Sequence, residues 1–194
     1  MARVLNGLDQ VDWARLTHAY GPADDVPDQI RDLVSPDCER RRKALWALNG
    51  NIYHQGTVYE ATAHAVPFLL EVLTAPECDE QPQLLELLSG IVTGFDEMWL
   101  PGGLPIADHR AQAEGGEAVL AAAPRPGDDD FDEDEADYEY VEGLSDDDQR
   151  RMFAHIWVRA LATVTGGDDE GVVATTGSRS SAATSRRTRA ACCG

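Results

Sequence analysis

The side chains that could carry out chemistry in this chain are five histidines and four cysteines, together with many carboxylates. None of the histidines is followed by glutamate, so the His-Glu pair that binds iron in some helical proteins is missing. The sequence also has no G-x-S-x-G turn, no phosphate-binding loop, no H-E-x-x-H helix and no paired C-x-x-C. We therefore predict no catalytic, cofactor-binding or metal-binding residue and no enzymatic activity.

An acidic segment at residues 128–148 is a further candidate, because it holds 13 acidic residues and no basic one. A calcium-binding EF-hand loop needs glycine at its sixth position. Loops that start at Asp128 or Asp130 have Glu133 or Glu135 there, so this register fails. Repulsion between the carboxylates favours an extended, solvated conformation for its run DDDFDEDEADYEY at residues 128–140. A docking segment and a metal site are the alternatives for this run.

Charge and hydropathy exclude several classes of partner. A net charge of -19 opposes binding to nucleic acid or to anionic membranes, because lysine and arginine supply most of the affinity for phosphates. No window approaches the roughly 18 consecutive apolar residues of a membrane span, and the first residues, MARVLNGLDQVDW, lack a signal-peptide core. The cysteines are too few for a disulfide framework. We expect a cytoplasmic protein that binds neither nucleic acid nor a membrane.

The elements that must position any site follow from an internal repeat of about forty residues. Residues 23–52 align with residues 63–92, and Leu45/Leu85, Leu48/Leu88 and Gly50/Gly90 are among nine identities in thirty columns. About two identities would arise by chance from average residue frequencies. Cys38 and Cys78 also coincide, which indicates a packing role for both rather than reactivity.

Each unit has the pattern of a helix, a proline-containing turn and a second helix. In the first unit the turn is at 35–37, and the residues at helical spacing on either side are Ile30, Leu33 and Val34, then Ala44, Leu45, Leu48 and Ile52. Neither helix can bury its apolar stripe alone. Stacked hairpins bury both stripes in a continuous core, which is the principle of an α-solenoid.

The link between the units also has a predicted mechanism. Gly56 can adopt the left-handed conformation that ends the preceding helix, and Thr57 and Glu60 have the spacing of a capping box for the next one. Pro67 should kink that helix or restart it. Before the repeats, an N-terminal capping helix is predicted from the stripe formed by Trp13, Leu16 and Tyr20.

The stretches DWARLTHAYGPADDVPDQIRDLVSPD and NIYHQGTVYEATAHAVPFLLEVL resemble bacterial HEAT-repeat proteins, which are similar to phycobilisome-lyase repeats. The resemblance covers about residues 10–95 and, more loosely, residues 144–164. It implies a helical-repeat scaffold for protein contacts. It also leaves a repeat-type, lyase-like enzyme as an alternative function.

The second half of the chain is less regular. Residues 95–126 predict a loop with one or two short helices, interrupted at Gly115 and Gly116. A capping box of Ser145 and Asp148 then opens a clear amphipathic helix that should be the first helix of a further hairpin. Gly166 and Gly167 close this helix, and its apolar positions are Met152, Phe153, Ile156, Trp157, Ala160, Leu161 and Val164.

The remaining residues offer no leucine, isoleucine or aromatic side chain that could pack on this last helix. Either the tail is a natural disordered extension, or it is out-of-frame translation of a gene that encodes more repeats. We favour the second explanation. Self-association through the exposed face of the last helix, in an inactive truncated fragment, is then a further possibility.

The second helix of the first unit is the expected binding face, because the second helices usually line the concave surface of stacked hairpins. Trp, Tyr and Arg most often dominate interface energies. The predicted partner-binding residues are Arg42, Trp46, Asn49, Tyr53, His54 and Gln55. Trp46 and Tyr53 could instead be contacts between repeats. The basic run 40–43 could contact an acidic partner or anchor the acidic segment of this chain.

The sequence thus predicts an all-α, HEAT- or armadillo-like α-solenoid with an acidic insertion and a disordered tail. Its predicted divisions are helical repeats with a capping helix at 1–95, an irregular acidic region at 96–143, a further repeat helix at 144–167 and the tail at 168–194. We expect a non-enzymatic module that binds an unidentified protein partner, with a regulatory or toxin-neutralising role.

Overall fold

The computed structural model describes residues 5–75, 80–93, 105–129, 131 and 136–166. Within these residues the chain is mostly helical, which confirms the all-α prediction. The helices are α1 (Val26–Asp32), α2 (Cys38–Asn51), α3 (Glu60–Leu73), α4 (Gln81–Thr93), α5 (Ile106–Gln112), α6 (Gly116–Ala121), α7 (Ala136–Gly143) and α8 (Asp146–Thr165). The predicted tail lies outside the described residues.

The first helical hairpin forms where the repeat predicts it. Asp37 precedes α2, and its carboxylate accepts a hydrogen bond from the Glu39 N–H at 2.9 Å, which caps the helix. The apolar side chains predicted for the core of α2 are all buried: Ala44, Leu45, Leu48 and Ile52. Ile30 and Leu33 are buried between α1 and the rest of the core.

The prediction of an N-terminal capping helix is wrong. Trp13–Arg15 forms a single 3-10 turn, because the buried indole N–H of Trp13 donates to the Leu8 carbonyl at 2.8 Å and holds the chain in a tight bend. A short hairpin follows, in which β1 (Thr17–His18) pairs antiparallel with β2 (Gly21–Pro22). Gly21 has a φ of 109°, which returns the chain toward α1.

A second hairpin joins the two helical units, so the prediction that Gly56 caps a helix is also wrong. Strand β3 (Tyr53–His54) pairs with β4 (Thr57–Val58) across a two-residue turn. Gln55 and Gly56 have φ values of 48° and 81°, the combination that a type I′ turn requires. The left-handed conformation predicted for Gly56 is present, but its role is to close a β-hairpin.

Helix α3 begins with a cap other than the predicted Thr57–Glu60 box. The Thr62 hydroxyl accepts from the Tyr59 N–H at 2.8 Å and donates to the Ile52 carbonyl at 2.6 Å, which ties the start of α3 to the end of α2. The helix runs through Pro67, so the restart alternative is wrong. Helix α1 packs against α3, and α2 packs against α4.

The region after α4 contains the two predicted short helices, α5 and α6. The expectation that the acidic segment is extended is wrong for its second half, which forms α7. Tyr140 and Val141 on α7 pack against the core, and the Tyr140 hydroxyl donates to the Val119 carbonyl at 2.6 Å. These contacts outweigh the repulsion between the carboxylates. Residues 130 and 132–135 lie outside the described residues.

Helix α8 is the longest described helix and has the predicted boundaries. The Ser145 hydroxyl accepts from the Asp148 N–H at 3.2 Å, and Gly166 ends the helix in the left-handed conformation. The helix packs against α3 and α4 and also against α5 and α6. Its contacts are therefore with elements that precede it in the chain. None of the described helices has the length and apolarity to cross a membrane.

The crossing of α6 and α8 is unusually close at Gly116. A Cβ atom at this position would lie 2.1 Å from the Arg151 carbonyl oxygen and 2.8 Å from the His155 Cβ. No L-amino acid with a side chain fits there without separating the two helices. The glycine is thus required by backbone contact.

We expect Gly116→Ala to lower the free energy of unfolding by about 2 kcal/mol, because the methyl group must push α6 away from α8. Gly50→Ala is the matched control, since a Cβ at Gly50 meets no atom within 4 Å. Alanine there should stabilise the protein by about 0.5–1 kcal/mol through its higher helix propensity. Urea unfolding followed by circular dichroism checks both. Equal stability of the two variants would contradict the close-contact interpretation.

Candidate functional site

Three of the predicted partner-binding residues lie together on the exposed side of α2. Arg42, Trp46 and Asn49 are all exposed, at i, i+4 and i+7 of one helix, opposite the buried stripe. Trp46 has 81% of its surface exposed, so it is not a contact between repeats. The Arg42 guanidinium pairs with Glu39 on the same helix at 3.1 Å. A tryptophan and an arginine are therefore presented on a rigid element.

The other three predicted residues have separate roles. The Tyr53 ring lies where a Cβ on Gly90 would sit 2.8 Å away, so Tyr53 packs between the two repeats as the alternative interpretation proposed. The His54 ring contacts that of Tyr20 edge-on, with centroids 5.3 Å apart, and its Nδ1 lies 3.3 Å from the Tyr20 hydroxyl. Gln55 is exposed at the tip of the turn.

Tyr20 was assigned to the core by the sequence pattern, but 66% of its surface is exposed. The Ala19 N–H donates to the Asn51 carbonyl at 3.0 Å, which places the tip of the first β-hairpin at the C-terminal end of α2. Tyr20 and His54 thus lie at the C-terminal end of α2. We define the α2 surface as Arg42, Trp46, Asn49, Tyr20 and His54.

A polar cluster around the buried His18 fixes this end of the surface. His18 is buried, its Nδ1 accepts from the Tyr20 N–H at 3.0 Å, and its Nε2 therefore carries the proton that it donates to Asp25 at 3.0 Å. Asp25 also accepts from the side chains of Gln29 and Asn51. Both ring nitrogens of His18 are engaged, so the His18–Asp25 pair holds the hairpin in place and has no nitrogen left for proton abstraction.

The basic run 40–43 is used largely within the protein. Arg41 is only 4% exposed, and its Nε donates to the Glu80 carboxylate, just before α4, at 2.7 Å. Its Nη1 donates to the Ser35 carbonyl at 2.9 Å. Arg41 thus joins the first hairpin to the second. The alternative that this run anchors the acidic segment is wrong for Asp128, whose hydrogen-bond partners are Arg15 and Arg125.

We expect Glu80→Gln to destabilise the protein by about 2 kcal/mol, because a buried guanidinium loses a charge-assisted hydrogen bond. Glu39→Gln is the matched control, since the Arg42–Glu39 pair is exposed and such pairs contribute about 0–1 kcal/mol. Thermal unfolding of both variants provides the measurement. A control that loses as much stability as Glu80→Gln would show that burial of Arg41 is irrelevant.

A cleft lies beside α8, and no sequence pattern predicted it. We call it the α8 cleft; its volume is about 490 Å³, and it lies between the two β-hairpins on one side and α6, α7 and α8 on the other. Its lining includes the apolar residues Val58, Leu120, Val141, Met152, Phe153 and Ile156 and the charged residues Glu60, Arg125 and Glu142. The sequence does not predict this cleft, because its walls come from five segments that are far apart in the chain.

The charges at one end of the α8 cleft form a closed network. The Arg125 Nη1 donates to both carboxylate oxygens of Glu60, at 2.9 and 2.8 Å, and the Glu60 side chain is only 10% exposed. Arg15 donates to Asp128 at 2.7 Å, and the Arg125 backbone N–H donates to the same carboxylate at 3.0 Å. These two hydrogen bonds, the one from Arg15 first, lower the pKa of Asp128. The network ties the start of the acidic segment to the N-terminal region.

His64 on α3 behaves as a neutral, partly buried side chain. Burial, followed by the positive charges of Arg159 and Arg125, lowers its pKa from 6.5 to about 4. The same positive charges would repel a metal ion from His64. In the part of the chain that the structure describes, no three His, Cys, Asp or Glu side chains come together in a metal-binding group.

The His64 environment predicts a pH dependence of stability. Because the folded pKa is lowered, the unfolded chain takes up a proton between pH 6.5 and pH 4 that the folded chain refuses, so stability falls as the pH decreases through this window. Between pH 7 and pH 5 the wild type should lose about 1–2 kcal/mol more than His64→Gln. Urea unfolding at both pH values measures this difference, and equal losses would contradict it.

Comparison with known proteins gives no match: no protein-family model, no curated protein and no solved structure is detectably similar to this chain.

Proposed function

We propose that this chain is a non-enzymatic protein-binding module whose partner contacts the α2 surface. The observation that carries the proposal is Trp46, a large apolar side chain with 81% of its area exposed on a helix whose opposite face is fully packed. In typical interfaces a few central residues, often tryptophans, supply most of the free energy of binding when the partner buries them. Isolated apolar residues occur on many surfaces, so the neighbours of Trp46 matter.

Those neighbours give the α2 surface the composition of an interface. Arg42 and Tyr20 belong to the residue types that recur at interface centres, and Asn49 can both donate and accept hydrogen bonds. The edge-on contact with His54 restrains the Tyr20 ring before any partner arrives. A restrained side chain loses less conformational entropy on binding, which favours affinity.

The proposed scaffold is a short, HEAT-like α-solenoid. The support is that α1 packs on α3 and α2 on α4, so that the first and second helices of the two units each stack on their equivalents. Helix α8 packs on α3 as the first helix of a third unit would. In such an arrangement the second helices share one face, and the α2 surface belongs to it.

The charge of the chain supports a regulatory or toxin-neutralising role. At -19 the protein attracts basic partners at long range and accelerates their association. A basic protein held on the α2 surface would be kept from its other targets. The partner is therefore proposed to be a protein of net positive charge with an apolar pocket that accepts Trp46.

The test is affinity capture of partners from a lysate of the cells that make the protein, with Trp46→Ala run beside the wild type. We expect a protein that the wild type retains and the variant loses, with a dissociation constant raised about thirtyfold for a loss of about 2 kcal/mol. Trp46→Ala should remain folded, because the side chain is exposed. Tyr53→Ala is unsuitable, since it would open a gap against Gly90.

Leu85→Ala is the matched control, because Leu85 is also a large exposed apolar residue, at 53%, but lies on α4. It should bind the captured partner as the wild type does. Tyr20→Ala should weaken binding to a smaller degree than Trp46→Ala. A partner that both Trp46→Ala and Tyr20→Ala retain at full strength would overturn the proposed site, and the absence of any specific partner would overturn the function.

A further inference from the structure

The α8 cleft is an apolar surface that the described residues leave open. Its floor is formed by Val58 and by Met152 and Ile156, each of which is buried. At its edge Phe153 keeps 42% of its surface exposed, although its neighbours on α8 are packed against other helices. An aromatic side chain at the rim of an apolar floor is typical of a site that receives apolar groups.

The charges around the α8 cleft determine which apolar ligands it favours. Arg125 is the one cation among the lining residues, and Glu60 neutralises it within 2.9 Å. Glu142 adds a negative charge at the exposed edge, and no described ion pair involves it. The wall that carries Glu142 is α7, which belongs to the segment with 13 acidic residues and no basic one. Anionic ligands are therefore repelled and cationic ligands attracted.

We propose that the α8 cleft binds a peptide segment of a partner protein in which apolar side chains are flanked by lysine or arginine. The apolar side chains occupy the floor over Met152 and Ile156 and contact Phe153. The basic side chains lie toward α7, where Glu142 and the acidic segment attract them. The walls of the cleft belong to β4, α6, α7 and α8, which are already folded, so binding orders few additional residues. This site shares no residue with the α2 surface and stands or falls independently of it.

The test uses three short, fluorescently labelled synthetic peptides and the full chain, with binding followed by fluorescence anisotropy. In the first peptide leucines are flanked by lysines; in the second the lysines are replaced by glutamates; in the third the leucines are replaced by serines. We expect the first to bind at least about tenfold more tightly than either of the others, because both burial and charge are needed. Equal binding of the first and third peptides would reduce the effect to bulk attraction and overturn the proposal.

Variants locate the site on the protein. Phe153→Ser leaves the charge unchanged and should weaken the leucine–lysine peptide about tenfold, the effect of losing about 1.4 kcal/mol of apolar contact. Glu142→Gln should weaken it about threefold and reduce the dependence on salt. Trp46→Ala should bind this peptide as the wild type does, which separates the cleft from the α2 surface. Full-strength binding by Phe153→Ser would place the peptide elsewhere and overturn the proposal.

Two other occupants of the cleft are resolved by the same reagents. A synthetic peptide of residues 167–194, added in trans, tests the basic tail of this chain. If it binds and the leucine–lysine peptide does not, the tail is the occupant and the proposal is wrong. Sedimentation of the full chain tests a second copy: a dimer that Phe153→Ser converts to a monomer would likewise overturn the proposal. The folded state of each variant is verified by its thermal unfolding, and Glu142→Lys, which should abolish the preference for lysine, provides a second route if Phe153→Ser unfolds.

Discussion

Helix α8 joins two groups of helices, because it packs against α3 and α4 and also against α5 and α6. Its buried residues include Met152, Ile156 and Leu161, and burial of a large apolar side chain contributes about 1.5–3 kcal/mol. Neither α5 nor α6 is long enough to form a stable unit alone. Both therefore depend on α8 as a surface, as does α7, whose Tyr140 packs on the same core. The α8 cleft exists because α7 and the β-hairpins meet this helix from two sides without closing over it.

The arrangement of the helices also depends on hydrogen bonds and ion pairs that arginine side chains make. The chain has 16 basic residues against 35 acidic ones, and three of its arginines join distant elements of the chain. Arg41 links the two helical hairpins, while Arg15 and Arg125 fasten the loop after α6 to the N-terminal region and to the start of α3. Because these cations are engaged inside the protein, the surface presented to a partner is more acidic than the composition alone suggests.

The sequence was sufficient to predict those elements in which a single periodic stripe of apolar residues faces the core. Both helices of the first repeat, the Asp37 turn and the limits of α8 at Ser145 and Gly166 all follow from spacing and capping residues. It failed where a turn decided the structure. Trp13, Leu16 and Tyr20 have helical spacing, but the hydrogen bond from the Trp13 indole to a backbone carbonyl and the following hairpin place Tyr20 in solvent. The Gln-Gly pair between β-forming residues was a recognisable signal for the second hairpin.

The candidate surfaces divide along the same line. The exposure of Arg42, Trp46 and Asn49 follows from the period of α2, because the opposite side of that helix is apolar. The packing of Tyr53 on Gly90 does not follow from the period of α2, since it depends on how one repeat is placed against the next. The α8 cleft depends on contacts between segments as far apart in the chain as Thr17 and Ile156, and no local pattern describes such contacts.

The position of α8 in the chain also bears on how the molecule is made. Its partners α3, α4, α5 and α6 leave the ribosome first, with their apolar faces uncovered until α8 has emerged. Folding is therefore governed by contacts between opposite halves of the chain, which form slowly and late in synthesis. Most of the acidic segment is synthesised before α8, and its negative charge opposes association between chains that are still incomplete.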